Sequence, residues 1–364
     1  MTALERRHVW PLAPAAAPRQ GAEPGAMAAL ARMAEAAGVP PTRLLADFAT
    51  LAIGPGHVTF ADYERLRLYD EAFWAGGDRR WVVGARRARQ IALLANYRHD
   101  WLGLTTNRLA WSAYLGAHGL PVVPVEAIYA PGLATPAAHV LRTRGELRQF
   151  LARHAGAALA ARPLEGGRAR MIAADAGAEA DALVQDICDG GAHLFQPLVA
   201  PHPATARATG GRLAAVRLLT LGGDGAEPKV VRALWKPLGR AALLAQLDLR
   251  SGEVLRLTSG FGPDLVEVRR SRLPLAAMPD WEALKASAVE AARVMRPLGL
   301  LGWDIGCGAS GPAILGLTAT PDLTGHQLAD RRGALEPEFA QFLDVQRRRA
   351  AEHADLARGE GAWA

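Results

Sequence analysis

The sequence reads Gly302-Trp303-Asp304-Ile305 and, twelve residues after the aspartate, Gly316-Leu317-Thr318 followed by Pro321-Asp322. Apolar runs at residues 300–305 and 313–317 flank a turn of small residues, which predicts the two strands of a β-hairpin. An aspartate on one strand beside oxygen ligands on the next strand can hold Mg²⁺, which binds carboxylate oxygens. Asp304 is therefore a candidate metal ligand in this hairpin.

The composition is that of a soluble globular protein. The chain has 364 residues and a mass of 38.6 kDa, enough for two or three domains with cores of their own. Half of the residues are hydrophobic and 21% are charged, which is ordinary for this class. Its two cysteines, Cys188 and Cys307, lie far apart, so neither a disulfide framework nor a cysteine-based zinc site is predicted.

The sequence carries no recognisable membrane or secretion signal. Near the N-terminus, Arg6, Arg7 and His8 precede a Pro/Ala stretch rather than the apolar core of a signal peptide. No run of about 18 uncharged apolar residues occurs, so we expect no membrane span. We therefore expect a cytoplasmic protein.

The chain is basic, with a formal net charge of +6 and a pI near 9.8. Lysine occurs only at positions 229, 236 and 285, so arginine supplies nearly all of the positive charge. These side chains are scattered, whereas nucleic-acid-binding proteins gather them into a patch. We expect no nucleic-acid partner.

Helical and strand patterns are mixed along the chain without strict alternation. The helical patterns lie at residues 27–38, 42–51, 59–69, 79–96, 107–118, 143–154, 180–187, 280–295 and 336–357. Besides the hairpin, strand patterns lie at residues 121–124, 127–129, 158–162, 171–172, 193–199, 213–221 and 229–235. This irregular order predicts an α+β fold rather than a doubly wound sheet.

The order of these elements and of several short motifs resembles the ATP-grasp fold. More narrowly, it resembles the sugar-transfer-associated ATP-grasp family, which is found beside polysaccharide-biosynthesis proteins. The likeness covers residues 40–335. The motifs that carry it are Tyr69-Asp70, Val83-Gly84, Asn107-Arg108, Gly119-Leu120-Pro121, Gln196, Pro201-His202-Pro203, residues 216–221, the Trp-Asp strand, Pro321-Asp322 and His326-Gln327.

The resemblance implies two α+β subdomains that clasp a nucleotide, preceded by a mostly helical module. On that basis the chain divides into five parts. They are a loose or disordered N-terminus at 1–25, a helical module at 26–100, an N-terminal ATP-grasp subdomain at 101–190, a C-terminal subdomain at 191–335 and a final helix at 336–364.

The resemblance also implies the residues that meet the phosphates of ATP. Two lysines of the family correspond to Arg108 and Arg162, which keep the charge but offer a planar fork in place of an ammonium. Arg217 alternates with apolar neighbours, so it faces either the cleft or solvent, and in the family it would act on the transferred phosphate. Lys236 can reach a phosphate as well, although a solvated lysine is the commoner arrangement.

Two further segments correspond to parts of the nucleotide site. Gly166 and Gly167 would cover the triphosphate with backbone N–H groups, and a plain β-turn is the alternative. Gln196 and Leu198 would border the adenine, although Pro197 between them has no N–H to donate.

The metal site is where the chain departs most from the family. Gly316 and Thr318 stand where a Glu and an Asn would complete a magnesium cage, which leaves Asp304, with Asp322 as the candidate second ligand. Removing one electrostatic stabiliser from an active site costs about 10²–10³ in rate. The resemblance therefore predicts a degenerate active site. The alternative for Asp304 is a structural role at the end of its strand.

Three interpretations stay open. The first is an ATP-grasp protein, related to carboxylate–amine ligases and linked to polysaccharide biosynthesis, that binds nucleotide and a sugar-linked or carboxylate small molecule but has reduced or lost catalysis, a pseudoenzyme. The second is an active ATP-dependent ligase, forming an acyl phosphate, with Asp304 and Asp322 in a rearranged Mg²⁺ site. The third is a non-catalytic scaffold that recruits glycan-assembly proteins through its helical first hundred residues.

Overall fold

A computed structural model describes residues 25–74, 77–133, 135, 138–154, 159–164, 170–172, 178–223, 225–236 and 243–361. Two β-sheets with flanking helices follow a helical N-terminal region. The predicted α+β fold, two sheet-bearing subdomains behind a mostly helical module, is confirmed. Within the described ranges, no helix has both the length and the apolar character that crossing a membrane requires.

The N-terminal region has four helices that pack into two apolar clusters shared with the rest of the chain. They are α1 (Ala26–Ala37), α2 (Pro41–Ile53), α3 (Phe60–Arg65) and α4 (Ala85–Ala95). Helices α1–α3 pack with Leu234 and Leu244, whereas α4 packs with Leu219 and Leu221. Thr59 and Asp62 form a capping box at the start of α3, because each side chain accepts the backbone N–H of the other. Tyr63 and Trp74 are fully buried in the cluster of α1–α3.

The helix predicted over residues 79–96 begins later than expected. Arg79–Trp81 form a single 3₁₀ turn, and α4 starts only after Gly84. Val83 gives the reason: its N–H donates to Gln327 Oε1 at 2.8 Å and its carbonyl accepts from Gln327 Nε2 at 3.0 Å. These two hydrogen bonds to the side-chain amide of Gln327 hold residues 82–84 in an extended conformation.

The smaller sheet has the order β2-β1-β5-β3-β4. Its strands are β1 (Ala127–Tyr129), β2 (His139–Leu141), β3 (Leu159–Pro163), β4 (Arg170–Ile172) and β5 (His193–Pro197). Two helices precede it, α5 (His99–Thr106) and α6 (Arg108–Ala117), and two pack on one face, α7 (Arg144–Arg153) and α8 (Ala178–Asp189). The predicted strand at 121–124 is reduced to one bridge between Val122 and Ile314. Because β5 belongs to the smaller sheet, this sheet extends beyond residue 190, where the N-terminal subdomain was predicted to end.

The larger sheet has the order β10-β9-β8-β7-β6-β11-β12, and every pair is antiparallel. Its strands are β6 (Ala215–Leu221), β7 (Lys229–Trp235), β8 (Leu244–Leu247), β9 (Val254–Ser259), β10 (Val266–Glu267), β11 (Leu300–Gly308) and β12 (Gly311–Thr318). The predicted hairpin forms as β11–β12, and the predicted strands at 213–221 and 229–235 pair as β6 and β7. The remaining helices are α9 (Pro203–Thr209), α10 (Trp281–Val294), α11 (Thr324–Asp330) and α12 (Pro337–Gly361).

The two faces of the larger sheet have different coverings. Leu218 and Trp303 point to one face, where they pack with residues of α10 in the main apolar cluster. On the opposite face, Leu219 and Leu221 pack with α4 and α12. Because side chains alternate along a strand, Arg217 shares this second face with Leu219.

Candidate functional site

Strand register places Arg217, Asp304 and Gly316 in one row across the larger sheet. Asp304 on β11 lies opposite Arg217 on β6 and opposite Gly316 on β12. Directly opposite residues share a face of an antiparallel sheet. Arg217 Nε donates to Asp304 Oδ1 at 2.8 Å, and Nη2 donates to Oδ2 at 2.6 Å. The predicted catalytic cation and the predicted metal ligand are therefore bonded to each other.

This ion pair is buried and fully charged. The side chains of Arg217 and Asp304 are 13% and 11% exposed. Burial by itself raises the pKa of the Asp304 carboxyl, but the charge and hydrogen bonds of Arg217, helped by Lys236 and Arg108, hold it below its usual value. The pKa of Arg217 is likewise raised, because Asp304 outweighs the opposing effect of burial. Both groups are thus ionised at neutral pH.

Arg108 and Arg162 converge on a single backbone oxygen. Arg108 Nη1 donates to the carbonyl of Leu315 at 2.8 Å, and Arg162 Nη1 donates to the same oxygen at 3.2 Å. Asn107 caps α6 by accepting the N–H of Ala110, which fixes Arg108 at the first helical position. The two cations that the sequence assigned to phosphate contact therefore meet at β12.

A β-bulge makes that carbonyl available. Asp304 pairs with Gly316 and Ile305 pairs with Ile314, so Leu315 is the extra residue on β12. A bulged residue is left out of the regular ladder and bends its strand. On β3, Arg162 lies opposite Leu194, on the face turned away from α7 and α8. The bulge thus joins the smaller sheet to the edge of the larger one.

Lys236 adds a fourth cation directly after β7. Burial lowers its pKa to about 8, and the charge of Arg217 acts in the same direction. Burial likewise lowers the pKa of Arg162, with Arg108 as the next cause. Among the described residues, Lys236 makes no side-chain hydrogen bond or ion pair. This lysine is therefore held among the site's charges rather than solvated as sequence reasoning favoured.

The cluster carries more positive than negative charge. Its cations are Arg108, Arg162, Arg217 and Lys236. Within the described part of the chain, the carboxylates that act on these four cations are Asp304 and Asp322. His326 is fully buried nearby, and burial holds its pKa well below the usual value, with further lowering by Arg232, Arg217 and Lys236. Because the imidazole is neutral, it adds no charge to the cluster.

The residues predicted to border the nucleotide base are only partly described. Gln196 is buried, and its Nε2 donates to the carbonyl of Val123 at 2.8 Å, so its amide is used within the fold. Leu198 lies just beyond β5 and is partly buried. Gly166 and Gly167 fall outside the described residues.

The residues as placed do not fit a magnesium site. Both oxygens of Asp304 are engaged by Arg217, and Asp322 Oδ1 accepts the N–H of Thr324 at 2.9 Å. A Cβ atom at Gly316 would stand 3.2 Å from Asp304 Oδ2, and Thr318 Oγ1 accepts the N–H of Thr320. In the described ranges, no group of three or more His, Cys, Asp or Glu side chains is placed to hold a metal ion. The magnesium site stays a prediction that this arrangement does not support.

No protein-family model and no curated protein matches this chain. Among solved structures, it is similar to the D-alanine–D-alanine ligase from Coxiella burnetii, with 12% identity, a TM-score of 0.44, and 71% of this chain and 62% of that chain covered. It is also similar to the ADP complex of N5-carboxyaminoimidazole synthetase from Staphylococcus aureus (10% identity, TM-score 0.36, 61% and 46% covered). A third is an ATP-grasp RimK domain protein from Sphaerobacter thermophilus (15% identity, TM-score 0.36, 68% and 69% covered). The chain thus spans less than two thirds of the first two of these proteins.

Proposed function

We propose that this chain is an ATP-grasp-type protein that binds the phosphates of a nucleotide, ATP in the first instance, between its two sheets. The observation that carries the proposal is the convergence of cations from both subdomains, with Arg108 and Arg162 on the carbonyl of Leu315 and Arg217 on Asp304 of the next strand. Arg162 comes from the smaller sheet, whereas Arg217 and Lys236 come from the larger one. A ligand held here would touch both subdomains.

A buried charge is expensive unless a partner of opposite sign and hydrogen bonds compensate it. A phosphate group supplies negative charge and several acceptor oxygens, and the planar arginine fork matches its geometry. The cations that converge between the two sheets therefore favour a phosphate-bearing anion over a neutral ligand.

The proposal includes reduced or lost ligase catalysis. In ligases of this type, metal ions neutralise phosphate oxygens while a substrate carboxylate attacks, and such transfer depends on positioning and charge. With Gly316 and Thr318 at the two remaining ligand positions, the chain lacks oxygens that would hold those ions. The link to polysaccharide biosynthesis and to a sugar-linked or carboxylate substrate belongs to the proposal through the resemblance of the motifs alone.

The test is equilibrium binding of ATP, measured by isothermal titration calorimetry on the full chain. The single variants Arg108→Gln and Arg162→Gln should each weaken ATP binding about tenfold. Arg348→Gln is the matched control, because Arg348 is exposed on α12 and far along the chain from these residues. Equal affinities for the wild type and all three variants, or no binding of any adenine nucleotide, would exclude a nucleotide site here and favour a scaffold.

A further inference from the structure

The register that aligns Arg217, Asp304 and Gly316 determines whether a metal ion or a cation of the protein faces the Asp304 carboxylate. In a divalent-metal site, the Asp304 carboxylate would face the metal ion with a free oxygen. Here a guanidinium faces it instead, with one hydrogen bond to each oxygen. For a metal ion to bind Asp304, this buried pair would have to break, which would leave the guanidinium of Arg217 buried without its partner.

A second carboxylate cannot enter easily from the neighbouring strand. Gly316 is the residue opposite Asp304 on β12, and a Cβ atom there would lie 3.2 Å from Asp304 Oδ2 and 3.4 Å from its Cβ. That spacing is already tight, and a carboxylate would add repulsion. The next residue on the same face, Thr318, lies opposite Gly302 and offers a neutral oxygen.

The charge that a metal ion would bring is already present in the protein. Arg217 is neutralised by Asp304. Lys236, directly after β7, adds an ammonium that makes no side-chain hydrogen bond or ion pair within the described ranges. A phosphate held here would meet this ammonium without a metal ion between them.

We infer that the cleft binds a di- or triphosphate free of divalent metal, with Arg217 and Lys236 standing where a metal ion would otherwise act. The inference rests on the proposed function and specifies the form of its ligand. Lys236 supplies an ammonium with no partner of its own among the described residues, and Arg217 is fixed by Asp304 at the adjoining strand. Mg²⁺ in solution then competes with the protein for the phosphate ligand, instead of binding to the protein together with it.

The experiment measures the affinity of the full chain for ATP and for inorganic pyrophosphate, each in EDTA and in excess Mg²⁺. We expect Mg²⁺ to weaken binding of both ligands at least threefold. Lys236→Gln should weaken metal-free binding about tenfold, and Arg348→Gln should leave it unchanged. Far-ultraviolet circular dichroism checks that each variant is folded.

The outcomes separate this inference from the function on which it rests. Binding that needs Mg²⁺, with at least a tenfold loss in EDTA, would overturn the inference and leave the nucleotide site standing. Binding of neither ligand under either condition would overturn both. If Lys236→Gln binds ATP in EDTA as tightly as the wild type does, the role given to Lys236 is wrong.

Discussion

Arg217 and Asp304 lie directly opposite each other on β6 and β11, and two hydrogen bonds of 2.8 and 2.6 Å join their side chains. This contact links the two residues to which the sequence assigned separate tasks in catalysis and metal binding. It also fixes the charge of the pair, which is neutral as a unit.

Loss of one member of the Arg217–Asp304 pair should lower the free energy of unfolding more than loss of both members. Arg217→Leu leaves the Asp304 carboxylate buried without its partner, so we expect the free energy of unfolding to fall by about 3–5 kcal/mol. The double variant Arg217→Leu/Asp304→Leu should recover most of that loss. Urea denaturation followed by circular dichroism measures both, and a double variant as unstable as the single one would contradict the prediction.

Binding of ATP in EDTA should weaken as the pH rises through about 8. Lys236 has a pKa lowered to about 8, so above this pH its ammonium loses the proton that attracts a phosphate. The charged groups around it are Arg217, Asp304 and Asp322, and the imidazole of nearby His326 is neutral throughout this range. We expect about tenfold weaker binding at pH 9 than at pH 7.

The control for this pH dependence is Lys236→Gln, which removes the titrating group. Its affinity for ATP should be lower at pH 7 and nearly constant between pH 7 and 9, because the arginines of the cluster stay protonated over this range. A wild-type affinity that does not change between pH 7 and 9 would show that Lys236 takes no part in binding.

A glutamate at position 316 should oppose metal-free binding. Gly316→Glu adds a negative charge beside Asp304, and this charge would repel a bound phosphate. We expect the affinity for pyrophosphate in EDTA to fall at least tenfold, with partial recovery on addition of Mg²⁺. Gly103→Glu is the matched control, because Gly103 is exposed on α5 with open space around it. Tighter metal-free binding by Gly316→Glu would count against the account.

Gln327 should anchor the N-terminal helices to the sheets. It is fully buried, bonds to both backbone groups of Val83, and accepts the N–H of Ala334 at 3.0 Å. Gln327→Leu would leave these backbone groups unsatisfied, and each such loss costs about 1–3 kcal/mol. We expect a fall of at least about 2 kcal/mol in the free energy of unfolding. Gln185→Leu, at an exposed position of α8, should change it little.

Much of the fold could be predicted because its strands and helices have strong local signals. The hairpin β6–β7 follows from apolar strands around a glycine-rich turn, and α6 from an amphipathic pattern that ends at Gly119. Strands β8, β9 and β10 were missed, because they are short and depend on pairing with the rest of the sheet. The late start of α4 was missed because it depends on Gln327, a residue more than 240 positions away.

The residues of the charge cluster were easier to single out than their contacts, and their roles in binding stay predictions. Arg108, Arg162, Arg217 and Asp304 were all singled out from motif order, and the structure brings them into one charge cluster. The bond between Arg217 and Asp304 depends on register across two strands, and no local pattern encodes it. The bulge at Leu315 likewise left no signal in the sequence. Lys236 did have a signal in the sequence, because it is one of only three lysines in the chain.

ATP binding by Asp304→Asn, measured in EDTA and in Mg²⁺, tests most directly whether the cleft holds phosphates without a divalent metal ion. The substitution keeps the size of the side chain while removing the charge that neutralises Arg217. If Arg217 stands where a metal ion would act, the variant should bind metal-free ATP at least as tightly as the wild type does. A tenfold or greater loss of affinity, confined to the Mg²⁺ condition, would show instead that Asp304 is a metal ligand and would contradict the account.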